Sequence, residues 1–510
     1  MGNLPNTGEN WKTISSEPIY SVSTCFFELL HNNECLIMIE DELSLQIRQS
    51  LGFEPNDDQN EAIMQFCRFM TDRSVNAAMV MCGSAGTGKT TLAGAIVRVL
   101  VALGQKVMLM APTGRAAKVF AVNSGHNAFT IHRKIYRQQA FTGEMTGFCL
   151  NANLYHDMLF MVDEASMISN LGLGENNFGS GHLLDDLVKF VYQGNNCRLM
   201  LIGDKAQLPP VGEEESPALM PEFLEGYGLK VCHCNLNEVF RQGRRSGILH
   251  NATVLRNMIA HDRAVDLPVV RFYGFADICM MQGDELIESL DSSYSKVGMD
   301  ETIVVTRSNK RANIYNKGIR GSVLGREEEL CGGDMLIVVR NNYFWAEKEK
   351  TPLEFIANGD RARVLRVRNF QSFYGLRFAD VTMAFPDYDD FELEATVVLD
   401  SLLSESPSLT REQSEALFQG VMDDYDDVPT KAERLKKVRE DIFYNAMQVK
   451  YAYAVTCHKA QGGQWQHVYV DQGYMTDDMV TPDYIHWLYT AFTRATSKLF
   501  LVNWPKSQTE

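Results

Sequence analysis

Gly83-Ser84-Ala85-Gly86-Thr87-Gly88-Lys89-Thr90-Thr91 is the stretch from which this chain is read. It has the spacing G-x-x-x-x-G-K-[ST], with an apolar run, Ala77 to Cys82, before it and a helical stretch, Thr91 to Leu103, after it. Strand, glycine loop and helix in that order make the cradle that holds the phosphates of a nucleoside triphosphate. Gly83, Gly86 and Gly88 let successive backbone N–H groups turn toward an anion at a helix N-terminus, and Ala85, Thr87 and Thr91 belong to the same cradle. Lys89 brings a cation to the β- and γ-phosphates, and the Thr90 hydroxyl suits Mg²⁺. ATP and Mg²⁺ are the expected ligands. The loop alone does not say what work the hydrolysis drives.

Two further strings supply what such a site needs. Met161-Val162-Asp163-Glu164-Ala165-Ser166 puts adjacent carboxylates at the end of an apolar run. Asp163 is expected to hold the metal, and Glu164 to orient and deprotonate the attacking water. Gly203-Asp204-Lys205-Ala206-Gln207-Leu208-Pro209-Pro210 follows the next apolar run. Gln207, neutral and bidentate, suits a sensor of the terminal phosphate.

With 510 residues the chain is long enough for several domains. Its 11 cysteines form no C-x-x-C pairs, which argues against a zinc or disulfide framework and for a reducing, cytoplasmic setting. No apolar run approaches the roughly 18 residues of a membrane helix. Glu28 interrupts the patch at Cys25-Phe26-Phe27, so a signal peptide is not expected either. The net charge of −17 is unevenly placed: Asp380 to Asp427 holds 14 acidic residues against one basic residue, Arg411. The rest is nearly balanced, and a nucleic-acid partner is therefore not excluded.

The pattern predicts an α/β fold with parallel sheets, built on short buried strands at Lys106–Ala111, Met158–Val162 and Arg198–Ile202. A polar and helical lead (1–50) precedes a first core (51–240). A second core opens at 241–330, is interrupted at 331–440 by a β-rich insertion with an acidic helical segment, and resumes at 441–510 with Met447–Thr456 as its next strand. Gly143 and Gly147, set between Phe141 and Phe148, suggest a β-hairpin projecting from the first core at about 133–156. Burial against the core competes with a projecting role for either aromatic.

Taken together, these strings resemble a superfamily 1 DNA helicase, of the branch containing RecD-like and phage Dda-like enzymes. Pro55-Asn56-Asp57-Asp58-Gln59, Ala111-Pro112-Thr113-Gly114-Arg115-Ala116-Ala117-Lys118 and Phe129-Thr130-Ile131-His132 match that family's order. So do Leu236-Asn237-Glu238-Val239-Phe240-Arg241-Gln242, Val455-Thr456-Cys457-His458-Lys459-Ala460-Gln461-Gly462 and Leu488-Tyr489-Thr490-Ala491-Phe492-Thr493-Arg494-Ala495. The resemblance spans about residues 50 to 505. It implies two RecA-like P-loop NTPase cores, with a hairpin pin in the first and an SH3-like β insertion in the second. Gln59 would read adenine, and Arg241 and Arg494 would act as arginine fingers beside Lys89, Glu164 and Gln207. Gln464 stands where many relatives carry a sugar-contacting acid. Pro112, Thr113, Thr130, His132, Thr456 and His458 would contact single-stranded DNA, and Phe141 or Phe148 would stack at the fork. The implied activity is ATP-driven movement on single-stranded DNA, 5′ to 3′, with unwinding of forked or tailed duplex in repair, recombination or replication. Two alternatives stay open: a protein-displacing translocase, and a partner-dependent repair subunit that unwinds little alone.

Overall fold

The computed structural model describes residues 33–138, 148–172, 179–238, 245–261, 266–349, 355–476 and 479–510. The first core contains β1 (Ala77–Gly83), β2 (Lys106–Ala111), β3 (Ala128–Thr130), the short pair β4 (Tyr136–Gln138) and β5 (Phe148–Leu150), then β6 (Met158–Val162), β7 (Arg198–Gly203) and β8 (Lys230–Leu236). Six of these form one sheet in the order β3-β2-β6-β7-β1-β8, with every neighbouring pair parallel. Side chains alternate across a strand, so an uninterrupted apolar run must be covered on both faces. β1 shows this directly. Ala77, Met79 and Met81 pack with the helices Asn33–Leu51, Asp57–Thr71 and Lys89–Ala102, while Ala78, Val80 and Cys82 pack with the helix Leu183–Gln193 on the other face. Through Leu43, Ile47 and Leu51 the helix Asn33–Leu51 joins this core; the remainder of the expected lead, residues 1–32, lies outside the described residues.

β9 (Ile278–Met281) and β10 (Thr302–Thr306) open the second core. The chain then leaves it for β11 (Met335–Val338), β12 (Arg361–Phe373), β13 (Leu376–Phe385), β14 (Phe391–Val398) and β15 (Met447–Tyr451), and returns with β16 (Ala454–Thr456), β17 (Trp465–Asp471) and β18 (Ala495–Val502). The second sheet runs β16-β10-β17-β18-β9, again parallel throughout. β11 to β15 close into a barrel where the SH3-like insertion is expected. This corrects one expectation. Met447–Tyr451 does not enter the second sheet but closes the barrel, pairing antiparallel to β11 and parallel to β14; only Ala454–Thr456 continues into the core. An apolar run of that length fits either partner, and which sheet it joins is decided by tertiary pairing.

The acidic stretch has a structural place. Its helices Arg411–Asp423 and Lys431–Glu440 turn Leu417, Val421 and Val438 onto Leu376, Phe378 and Val398 of the barrel. The barrel also reaches the first core. The helix Gly114–Ser124 meets it so closely that a Cβ on Gly114 would lie 2.8 Å from Asp360 Oδ1, and Lys118 donates to the Pro386 carbonyl. Asp360 is 1% exposed, accepts from Ala357 N (2.7 Å) and from the Tyr388 hydroxyl (2.9 Å), and burial pushes its carboxyl up to about 7. A carboxyl whose folded pKa is raised binds more protons folded than unfolded between the two values. Its cost to stability therefore grows as pH rises from about 4 and is complete above about 7, at up to about 1.4 kcal/mol per pH unit. Asp360→Asn is expected to gain stability relative to wild type between pH 5 and pH 8, measured as the difference in melting temperature at the two values.

Candidate active site

The glycine loop leaves β1 at its C-terminal end and feeds the helix Lys89–Ala102, for which Gly88 is the N-cap in the left-handed region (φ 85°). Gly86 is left-handed as well (φ 78°), so both positions adopt a backbone that L side chains seldom take. Lys89 Nζ curls back over the loop, donating to the Gly83 and Ser84 carbonyls, and stands 4.0 Å from Asp204 Oδ2. Thr90 and Thr91 open the helix beside it. Behind the loop, Gln59 is fully buried. Its amide donates to the Thr87 carbonyl (3.1 Å), and its oxygen accepts from Asn56 N in a capping box. The residue implied to read adenine thus ties the helix Asp57–Thr71 to the loop.

Asp163 and Glu164 sit at the C-terminal end of β6, two strands from β1 in the sheet. Burial first, and the neighbouring Glu164 charge second, push the Asp163 carboxyl up from its ordinary range. A divalent cation offsets that kind of penalty, and the residues fit Mg²⁺: a hydroxyl at Thr90 and a carboxylate at Asp163 are the sparse set this ion takes alongside phosphates. The described residues hold no cluster of three or more His, Cys, Asp or Glu that would bind a metal by itself.

Gln207 joins this turn to the second core. With its amide oxygen toward Arg494, it accepts from Arg494 Nη2 (3.1 Å) and donates to Glu164 Oε2 (3.1 Å) and Ser166 Oγ (3.3 Å). Arg494 is 2% exposed and also donates to the Thr490 and Gly463 carbonyls at 3.1 Å each. Among the described residues this guanidinium makes no ion pair, so its charge is buried against neutral oxygens. That is costly unless an anion shares the site. Three of the expected catalytic residues therefore form one hydrogen-bonded chain across the two cores. Arg241 and Phe141 lie outside the described residues. Gln464 is exposed, and its carbonyl accepts from Arg115.

The sequence reading missed four second-core residues that grip the first core. The Tyr489 hydroxyl donates to Asp204 Oδ2 (2.6 Å) and accepts from Ala85 N (2.9 Å), and burial with the Asp204 charge keeps it protonated. Thr490 Oγ1 accepts from Leu208 N (2.7 Å), and Gln461 donates to the Leu208 carbonyl (2.7 Å). Arg256 reaches Ser84. Tyr489, Thr490 and Gln461 all lie inside strings quoted for the family resemblance, beside the residues that the resemblance gives to the triphosphate and to DNA.

The expected DNA contacts gather elsewhere. Two cavities meet at His458 and Lys459. One, of about 200 Å³, is lined by Thr113, Arg115, Arg361 and Trp465; the other, of about 410 Å³, by His132, Tyr136, Ser169 and Pro210. Pro112 is half-buried beside Thr113. Thr113 and Thr130 cap the helices Gly114–Ser124 and Ile131–Ile135 with their oxygens, which leaves each O–H as a donor. Thr456 makes no such cap bond. Burial lowers the His132 imidazole to about 4 and lowers His458 as well, so both are neutral at physiological pH. Lys459, which sequence reasoning did not single out, is pushed down to about 8 by burial. Phe148 does not stand clear. Its ring lies 4.0 Å, centroid to centroid, from Tyr343 of the insertion, which in turn lies 5.0 Å from Phe355.

A phosphate loop on one parallel sheet, with its neighbouring carboxylate turn joined through Gln207 to a guanidinium from a second, is the arrangement of a two-core P-loop nucleoside triphosphatase. Residues 54–266 match the AAA domain, and residues 451–502 the UvrD-like helicase C-terminal domain. The chain is 25% identical over 337 residues to the ATP-dependent DNA helicase dda of Enterobacteria phage T4, covering 62% of this chain and 72% of that one. It is 32% identical over 275 residues to the ATP-dependent RecD2 DNA helicase of Deinococcus radiodurans, covering 52% of this chain and 34% of that one. A solved Pif1 helicase from Bacteroides aligns over 90% of this chain and 94% of its own, at 16% identity and a TM-score of 0.44. The two matched domains and these two relatives support a superfamily 1 helicase of the type that includes the RecD-like and Dda-like enzymes.

Proposed function

We propose that this chain, an ATP-dependent DNA helicase, moves along single-stranded DNA from 5′ to 3′ and parts the duplex ahead of it. The observation that carries the reading is the Glu164–Gln207–Arg494 chain, which links the carboxylate turn of one core to a buried cation of the other. Lys89 and the loop N–H groups would hold the β- and γ-phosphates, and Thr90 with Asp163 would hold Mg²⁺, which when bound neutralises charge on the transferred phosphoryl group. Glu164 would orient the attacking water. Arg494, and Arg241 by family resemblance, would stabilise charge as it develops. Gln207 would register the change, since it touches both sides. Closing and reopening this cleft displaces the two cores, and with them the two sides of the DNA channel.

In that channel the donors suit phosphates rather than bases. Thr113, Thr130 and Thr456 offer hydroxyls and His132 and His458 offer neutral N–H groups, with Pro112 shaping the wall and Lys459 adding the charge. No helix among the described residues is long and apolar enough to cross a membrane. Phe148, braced on Tyr343, would hold the base of the hairpin rather than stack at the fork. Tyr343→Ala is then expected to lower unwinding several-fold while DNA-stimulated ATP hydrolysis stays within about twofold, since an aromatic pair contributes about 0.5–1.5 kcal/mol. Equal unwinding by mutant and wild type removes the bracing role.

Polarity rests on the family resemblance and is tested by strand displacement from 5′-tailed and 3′-tailed duplexes. Unwinding from the 5′ tail alone is expected. Unwinding only from the 3′ tail reverses the direction and leaves the ATP site as described.

A further inference from the structure

Arg256 sits on the helix Gly247–Ala260, which belongs to the second core: its Ile248, Ala252 and Leu255 pack with Tyr484 and Leu488. From there Arg256 Nη1 crosses to the first core, donating to Ser84 Oγ (2.5 Å) and to the Asn237 carbonyl (3.1 Å). Ser84 is a knot in the phosphate loop. Its carbonyl accepts from Lys89 Nζ (3.1 Å) and from Thr87 Oγ1 (2.8 Å), while its hydroxyl takes Arg256. Asn237 carries the link further, since its N–H donates to Asp58 Oδ2 (2.7 Å), next to Gln59. A cavity of about 950 Å³ opens at the same place, lined by Gly83, Ser84, Asp204, Asn237, Arg256 and His486. The next loop residue is held from the second core too, through Tyr489 on Ala85 N.

We infer that Arg256 is a positioning residue for ATP hydrolysis, setting the shape of the phosphate loop from the second core through the Ser84 hydroxyl. The carbonyl that holds Lys89 and the hydroxyl that holds Arg256 belong to one residue, so a shift of the second core relative to the first moves the peptide against which Lys89 is placed. By linkage the reverse holds: whatever draws Lys89 off the Ser84 carbonyl alters the grip on Arg256. A guanidinium suits the task because the two N–H groups of one terminal nitrogen, held in a fixed plane, serve both the loop hydroxyl and the Asn237 carbonyl, a geometry that a freely rotating ammonium on a shorter side chain fixes less well. The role differs from that of Arg494, which touches Gln207 and not the loop.

The inference rests on the reading of the cleft as the hydrolysis site, which Lys89→Ala tests separately; a failure there concerns the site, and a failure here concerns Arg256 alone. The test is steady-state ATP hydrolysis, with saturating oligothymidylate, by wild type, Arg256→Ala, Arg256→Lys, Ser84→Ala and the Arg256→Ala/Ser84→Ala double variant. Each alanine substitution is expected to lower kcat about tenfold with less than a threefold change in KM, within the range of ordinary coupling between sites. The double variant is expected to be no worse than Arg256→Ala, because the arginine acts through that hydroxyl. Arg256→Lys should recover only part of the loss. Singles within twofold of wild type, or a double variant whose loss is the product of the two, would overturn the inference. A rise in KM larger than the fall in kcat would also overturn it, by assigning Arg256 to direct phosphate contact. Should Arg256→Ala melt below wild type, Arg256→Lys and Ser84→Ala, which change only the fork or a hydroxyl, are read by the same criteria.

Discussion

Lys89→Ala is expected to lower ATP hydrolysis by on the order of 1,000-fold and to stop strand displacement, while single-stranded DNA binding stays within about twofold. The amine stands inside the loop, on the Gly83 and Ser84 carbonyls and near Asp204, where its charge would meet the terminal phosphates. In a site shielded from water a fixed charge aimed at the transferring group carries much of the rate. Alanine is a good helix former, so the helix Lys89–Ala102 survives the change. The cavities around His458 and Lys459 are lined by other residues, which is why DNA binding should persist. Hydrolysis and binding measured on one preparation separate the two effects. Loss of both together would point to misfolding rather than to a lost phosphate contact.

Arg494→Ala is expected to cost about as much, roughly 1,000-fold in kcat, with a smaller change in KM, if the proposed role of this group on charge developing in the transition state holds. Arg494→Lys should rescue little. Three separate nitrogens of the guanidinium hold the Thr490, Gly463 and Gln207 oxygens, and an ammonium cannot reach all three from one point. The alanine variant takes a donor from the Gly463 carbonyl and one of two side-chain donors from the Thr490 carbonyl, which keeps the Thr493 hydroxyl, so some loss of melting temperature is expected alongside the kinetic effect. Single-turnover hydrolysis distinguishes the two, because a destabilised but folded enzyme keeps its rate below its melting temperature. Gln207→Ala should follow Arg494→Ala in direction, being the link between Arg494 and Glu164.

The parts legible in the sequence are those whose chemistry is local. The phosphate loop and the Asp163-Glu164 turn are short strings, each following its own apolar strand, and the structure sets their strands in one sheet. What connects the cores was legible only where a family string happened to contain it. Arg256 and Tyr489 are 172 and 404 residues from the loop atoms they touch, and neither spacing nor polarity marks them. Gln59 was placed on adenine by resemblance, yet a capping box and the Thr87 carbonyl hold its amide, a local use that the Asn56–Gln59 spacing itself suggests. Thr113 and Thr130 likewise serve as helix caps whatever else their hydroxyls do. β15 joined the barrel because a five-residue buried strand carries no label for its partner. Phe148 is legible as an aromatic beside Gly147 in an expected hairpin, but its partner Tyr343 lies in the insertion, almost 200 residues away, and no local pattern pairs them.

The central claim, that hydrolysis in a cleft split between two cores drives directed movement on DNA, is tested most directly by following arrival at a dye-labelled end. Oligothymidylates of increasing length, labelled at the 3′ or the 5′ end, are mixed with the bound protein and ATP. The lag before the signal should lengthen in proportion to oligonucleotide length for the 3′ label and stay constant for the 5′ label, and with Arg494→Ala the ATP-dependent arrival signal should be lost. DNA-stimulated hydrolysis with no length-dependent lag at either end would contradict the account.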